Sequence, residues 1–148
     1  MAENSVAGEF RWPLRVYIED TDAGGIVYYV NYLKFMERGR TELMRSLGYD
    51  KPALLPGGEM LVVHSAQLQY RKPARLDDAL IATAVFGKRT PTSVVFQQRI
   101  LRQLPGGAEE LLCEGEIRVA CVRASDMRPV AMPAPVRATI DAYLAASL

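Results

Sequence analysis

The chain has 148 residues, 49% of them hydrophobic and 24% charged, with a formal net charge of +1. That length suits one domain with a sizeable core, and the near-neutral balance gives no general pull towards nucleic acid or a membrane, so any anionic ligand needs a local basic patch. No apolar run approaches the roughly 18 residues of a membrane span, and the start of the chain, with Glu3 and Glu9, lacks the apolar centre of a signal peptide, so a cytoplasmic location is expected.

Residues 1–9 are polar and read as a poorly ordered tail before a single domain over 10–148. Trp12 to Glu19 reads as a strand ending in an acidic, Gly-rich loop from Asp20 to Gly25. From about Val30 to Leu47, apolar residues recur at three- and four-residue steps: Leu33, Met36, Gly39 or Arg40, Leu43, Met44 and Leu47. This predicts a helix with one buried face, with Gly48 at its C-cap. Lys51 to Glu59, rich in Pro and Gly, is a surface loop.

The remainder reads mostly as strand. Met60 to Lys72 alternates, with Val62, His64, Ala66, Leu68 and Tyr70 on one face, which makes His64 a core or pocket-wall residue. Leu80 to Lys88 and Thr92 to Arg102 form two more strands, and Leu104-Pro105-Gly106-Gly107 turns the chain into a fourth, Leu111 to Val122. Cys113 and Cys121 fall in that last strand, about 26 Å apart at the rise of a strand, too far for a disulfide. With His64 as the single histidine, no zinc or triad spacing is present. Val136, Ile140, Tyr143 and Leu144 are the stripe of a short final helix. One strand, a long helix and four antiparallel strands predict an α+β domain, a curved sheet of about five strands wrapped around the long helix.

The junction from Val16 to Tyr32, VYIEDTDAGGIVYYVNY, is where chemistry is expected. It presents Asp20 and Asp22 on a turn where Gly24 and Gly25 can take up positive φ. The first free N–H groups of the following helix, expected from Ile26 to Tyr29, point outward and favour negative charge. A carboxylate then lies beside an oxyanion-type site. Asp20 reads as a loop or cap residue, and Glu37, among the charges of the helix, as part of its solvated face.

This segment resembles the first motif of the hotdog-fold thioesterases, in particular the YbgC-type acyl-CoA thioesterases found with the Tol-Pal system and the 4-hydroxybenzoyl-CoA thioesterases. Phe10-Arg11-Trp12-Pro13, Glu19 to Gly25, Tyr32-Leu33, Phe35 to Arg38, Pro73 to Asp78 and Met127-Arg128-Pro129 carry the likeness, which runs from about Phe10 to Pro133. It implies a hotdog fold and hydrolysis of acyl-CoA to free acid and CoA, with coenzyme A part of the substrate and no other cofactor or metal. Asp22 is implied as nucleophile or general base, and the amide of Tyr29, seven residues on, as the group polarising the carbonyl. Arg128 matches a basic residue that binds the CoA phosphates, and Lys88 and Arg89 sit at a similar turn.

The chain departs from the usual Tyr-Asp-His constellation of the YbgC type, having Ile18, Asp22 and Tyr29 at the matching positions; the 4-hydroxybenzoyl-CoA enzymes also carry a Tyr where Tyr29 stands. A homodimer or homotetramer is expected, with acyl carrier protein a further partner. The alternatives are a non-catalytic module that binds acyl carrier protein or a lipid-synthesis enzyme, and a hotdog enoyl-CoA hydratase.

Overall fold

In the computed structural model, which describes residues 8–51 and 54–146, the chain forms β1 (Phe10–Arg15), α1 (Asn31–Ser46), β2 (Glu59–Tyr70), β3 (Ala79–Arg89), β4 (Ser93–Gln103), β5 (Glu109–Arg123) and α2 (Ala134–Ala146). The strands join in one antiparallel sheet of order β1-β3-β4-β5-β2, and α1 packs on it against β1, β3 and β4. This is the α+β arrangement of sheet and long helix that the order of the elements predicts, and the hotdog fold that the resemblance implies. Among the described residues no helix is long and apolar enough to cross a membrane.

Most of the predicted stripe of α1 lies on its buried face: Met36, Leu43 and Met44 are buried, with Phe35 beside them, and so are both Gly39 and Arg40, whereas Leu33 in the first turn is 38% exposed. Gly39 allows the close approach, since a Cβ there would stand 3.3 Å from the Ala82 Cβ and 3.3 Å from Gln98 Nε2. Gln98, only 1% exposed, ties helix to sheet by donating from Nε2 to Met36 O at 2.8 Å and Thr83 O at 3.0 Å. The helix ends in a Schellman motif, with Gly48 at φ +100° and N–H groups of Gly48 and Tyr49 on the carbonyls of Arg45 and Met44.

Three expectations are corrected. The first strand stops at Arg15 rather than Glu19, because Val16 is claimed by the β2–β3 connection: its N–H donates to Asp78 O and its carbonyl accepts from Asp77 N–H, both at 3.0 Å. The expected N-terminal tail falls largely on residues 1–7, outside the described residues. Its last residue, Glu9, is anchored, accepting from Arg99 at 2.9 and 2.5 Å.

The third correction is in β2. The pairing with β5 shifts register between Val63 and Ser65, a bulge centred on His64. An extra residue inverts the alternation, so Leu61 packs on the core before the bulge and Leu68 after it. His64 is exposed, not a wall of the core. Beyond β5, β2 has no partner among the described strands, and Val63 on it is 53% exposed. Cys113 and Cys121 are buried free thiols, and burial pushes the Cys113 thiol up to about 12.

Candidate active site

The two aspartates of the acidic loop do different things. Asp20 is 4% exposed and its carboxylate accepts from Tyr17 N–H at 2.9 Å and from Asn31 Nδ2 at 3.0 Å, so it closes the turn at Ile18–Asp20 onto the start of α1. Asp22 lies two residues on, exposed, at the tip of a small hairpin in which Thr21 bridges Val27 and Asp22 N–H donates to Ile26 O. Gly24 N–H donates to Asp22 Oδ1 at 2.9 Å, an Asx turn that orients the carboxylate, and Gly25 closes the turn at φ +76°. Oδ2 of Asp22 meets no protein donor among the described residues and is open to a ligand.

The free amides sit later than the sequence suggests. Val27 and Tyr28 donate to Ala74 O and Asp20 O at 2.9 Å, which closes them to a ligand, and α1 begins at Asn31. Among the described residues, the N–H groups of Tyr29 and Val30 have no protein acceptor, and no side chain caps the helix start. Here two donors and the positive end of a 16-residue helix face outward together, on the same loop as Asp22. Such an arrangement can take a carbonyl oxygen and stabilise charge that develops on it.

Residues with no chemical role expected from the sequence brace this loop. Ile26 bridges Arg75, and Ala74 N–H donates to the hydroxyl of Tyr32 at 2.9 Å. Burial raises the Tyr32 pKa and keeps that phenol neutral. The Pro73–Asp78 segment is pinned in turn by Asp78, which accepts from Arg75 N–H at 2.8 Å and Arg102 at 2.7 Å. The Tyr29 ring, 60% exposed, stands edge-on to Tyr28 and Tyr70, and the Tyr70 hydroxyl donates to Tyr29 O at 3.2 Å. Ile18 is 76% exposed, so neither residue that replaces the usual Tyr and His is buried.

The basic residues lie elsewhere. Asp22 sits by the start of β3, whereas Lys88 and Arg89 close its far end, about 33 Å along the strand. The Arg128 loop is at that same far end, with Arg123 N–H donating to Arg128 O and Cys121 N–H to Thr92 O. Lys88 and Arg128 are exposed. Arg89 is engaged in a two-pronged pair with Asp141 of α2, both bonds 2.6 Å, which raises the Arg89 pKa and lowers that of Asp141. Within one chain, then, the carboxylate and the basic residues do not meet. Glu37 is exposed on α1, and among the described residues no three His, Cys, Asp or Glu side chains converge as metal ligands would.

The chain is similar to known proteins over most of its length. The profile of the thioesterase superfamily matches residues 24–107. The acyl-CoA thioester hydrolase YbgC of Escherichia coli O6:H1 is 44% identical over 124 residues, covering 84% of this chain and 90% of that protein. A crystal structure described as a "Probable Thioesterase" from Bartonella henselae superposes with a TM-score of 0.71 at 27% identity, covering 84% and 98% of the two chains. A 4-hydroxybenzoyl-CoA thioesterase solved with 4-hydroxybenzoyl-CoA superposes at 0.77 over 90% and 99%, with 18% identity, a likeness of fold.

Proposed function

The chain belongs to the thioesterase superfamily, as an acyl-CoA thioester hydrolase of the YbgC kind, and we propose that Asp22 and the amide of Tyr29 carry its reaction. One observation supports this above the others: an exposed carboxylate and two acceptor-free amides opening α1 lie on one braced loop. The thioester carbonyl sits with its oxygen on the Tyr29 N–H. Asp22 either attacks the carbonyl carbon, the thiolate of CoA leaves and water then hydrolyses the acyl–aspartyl anhydride to the free acid, or it takes a proton from the water that attacks, and that proton passes to the departing thiolate as the acid is released. The amide contributes where the oxygen becomes an oxyanion, worth about 10²- to 10³-fold in rate for one such donor. The Tyr29 side chain, exposed and bonded to nothing through its hydroxyl among the described residues, shapes the entrance.

The site is completed by a second copy. The open edge of β2, with exposed Val63, is suited to antiparallel pairing with the same edge of another chain. That pairing sets the Glu59 end of one β2 beside the Tyr70 end of the other. Because Glu59 pairs with Arg123, the Arg128 loop of one copy then lies near the Tyr29 end of its neighbour. On this reading Lys88 and Arg128 reach the CoA phosphates of the other copy's substrate, and Arg89 joins them by exchanging Asp141 for phosphate. A homodimer is the smallest working unit and a homotetramer a pair of them. A cytoplasmic setting, acyl carrier protein as a second carrier and association with Tol-Pal are extensions that rest on the likeness to YbgC.

The test uses two variants inactive for different reasons. Arg128→Ala should raise KM for acyl-CoA by about 10-fold or more while barely changing that for an acyl-pantetheine, as for a lost charge-assisted contact. After subunit exchange, a mixture of Arg128→Ala with Asp22→Asn should regain low-KM turnover that neither has alone. Equal effects on both substrates, or no recovery on mixing, would place Arg128 away from a shared nucleotide site.

A further inference from the structure

Arg40 is a buried cation in an apolar place. It is 9% exposed, and one guanidinium nitrogen donates to Gln98 Oε1 at 3.0 Å while the group lies 6.0 Å from the centre of the Phe96 ring. Gln98 is itself fixed, with its amide nitrogen on Met36 O and Thr83 O. Among the described residues no carboxylate reaches Arg40 within 4.0 Å. Burial pulls its pKa down, opposed only by the charge of Glu37 one turn earlier. Charged groups this buried are ordinarily paired. Only one of its five guanidinium donors has a protein acceptor among the described residues, and the others are open to the groove that the side chain lines.

Arg40 lines two adjoining cavities between α1 and β2, of about 340 and 280 Å³, which share Glu37, Arg40 and Val63. One is walled mainly by Leu33, Ala66 and Ile117 and begins at Val30, beside the amide that polarises the thioester carbonyl. The other continues past Arg40 to Met44, Leu61 and Val119. An acyl chain laid from the Tyr29 amide along this groove runs over Leu33, Val63 and Ala66 towards the guanidinium, with Lys34 and Glu37 of α1 also on its wall. From Tyr29 to Arg40 is eleven residues, about 16 Å along a helix, and the arginine side chain leans back by up to a turn. An extended chain gains about 1.2 Å per bond. With a hydrogen-bond length at each end, the gap suits an acyl group of roughly five to nine carbons.

We propose that Arg40 is a specificity-determining residue that receives a terminal carboxylate, so that the preferred substrates are CoA thioesters of medium-chain dicarboxylic acids. This deepens the thioesterase reading and rests on it. Glu37 stands exposed where both cavities meet and is the one negative group on α1 that such a carboxylate passes.

The test compares kcat/KM for octanedioyl-CoA and octanoyl-CoA, which differ only at the far end. The wild type should favour the dicarboxylic substrate by about 10- to 100-fold, the span of one charge-assisted contact. Arg40→Met should abolish that ratio while leaving octanoyl-CoA within a few-fold, and Arg40→Lys should restore part of it. Glu37→Gln, an exposed change that leaves the core alone, should increase the preference and serves if Arg40→Met does not fold. No preference in the wild type would overturn the proposal. So would Arg40→Met lowering both substrates alike, or a change only in oligomer mass, which would give Arg40 to packing or to a neighbouring chain's carboxylate. Calorimetric binding of the two thioesters separates the two readings: selective binding without hydrolysis sinks the thioesterase chemistry alone, and hydrolysis without selectivity sinks this inference alone.

Discussion

Replacing Asp20 by Asn should cost stability that the same change at Asp22 does not. The Asp20 carboxylate is 4% exposed and accepts two hydrogen bonds, from Tyr17 N–H and Asn31 Nδ2. In Asp20→Asn the remaining oxygen can stay on the Tyr17 amide, because a backbone N–H cannot turn round. The new NH₂ then faces Asn31, whose amide can flip to present its own oxygen. Both contacts survive as neutral bonds, so the loss is the difference between charged and neutral hydrogen bonds, about 1 kcal/mol each and about 2 kcal/mol together. For a chain of this size that lowers Tm by roughly 4–8 °C. Asp22→Asn keeps Oδ1 for the Gly24 N–H on an exposed tip, so its change should stay within about 0.5 kcal/mol. Urea denaturation of the three proteins decides, read as a shift in midpoint at constant slope. Equal losses, or a larger loss at Asp22, would show that the two carboxylates do not divide the work between fold and chemistry.

Tyr29→Phe should keep turnover within a few-fold of wild type, because the amide and not the hydroxyl is given the polarising role; a drop of about 10²-fold, measured by thiol release, would transfer that role to the side chain. Arg89→Ala should raise KM for acyl-CoA less than Arg128→Ala does, since Arg89 must first leave Asp141. Cys113, pushed to about 12 from 9.0 by burial, binds its proton more tightly in the folded chain, so its contribution is full below pH 9 and is lost as pH rises towards 12. Stability should fall by about 1.4 kcal/mol between pH 8 and pH 10 through this thiol, and Cys113→Ala should flatten that fall in a pH series of denaturation curves, whatever it costs in packing.

The helix was the most legible part of the sequence because its apolar residues keep a single period from Leu33 to Leu47. Even the ambiguous choice between Gly39 and Arg40 has a reason: both face inward, one to let the helix approach Ala82 and the other to meet Gln98. Alternation in β2 was readable only up to His64, since a bulge leaves no mark in a polar-apolar pattern and inverts the faces of the residues before it relative to those after it. In the acidic loop, residue types placed Asp22 and a helix start on one loop but could not say which amides stay free. That depends on Ala74, which lies 47 residues beyond Val27 in the chain and takes its N–H. The pairing of Arg89 with Asp141 was hidden for the same reason, the two being 52 residues apart. That Arg40 stands on the inward stripe without a carboxylate beside it could not be read, because it depends on Gln98 and Phe96, more than 50 residues away in the chain.

Free-thiol release from a panel of acyl-CoAs by wild type and Asp22→Asn, at saturating substrate and with folding checked in parallel, bears on the reaction itself. The wild type should release CoA catalytically, and Asp22→Asn should lose about a hundredfold or more in kcat while keeping its denaturation midpoint. Undiminished turnover in a folded Asp22→Asn protein would remove Asp22 from the chemistry and leave the free amides of Tyr29 and Val30 without their carboxylate.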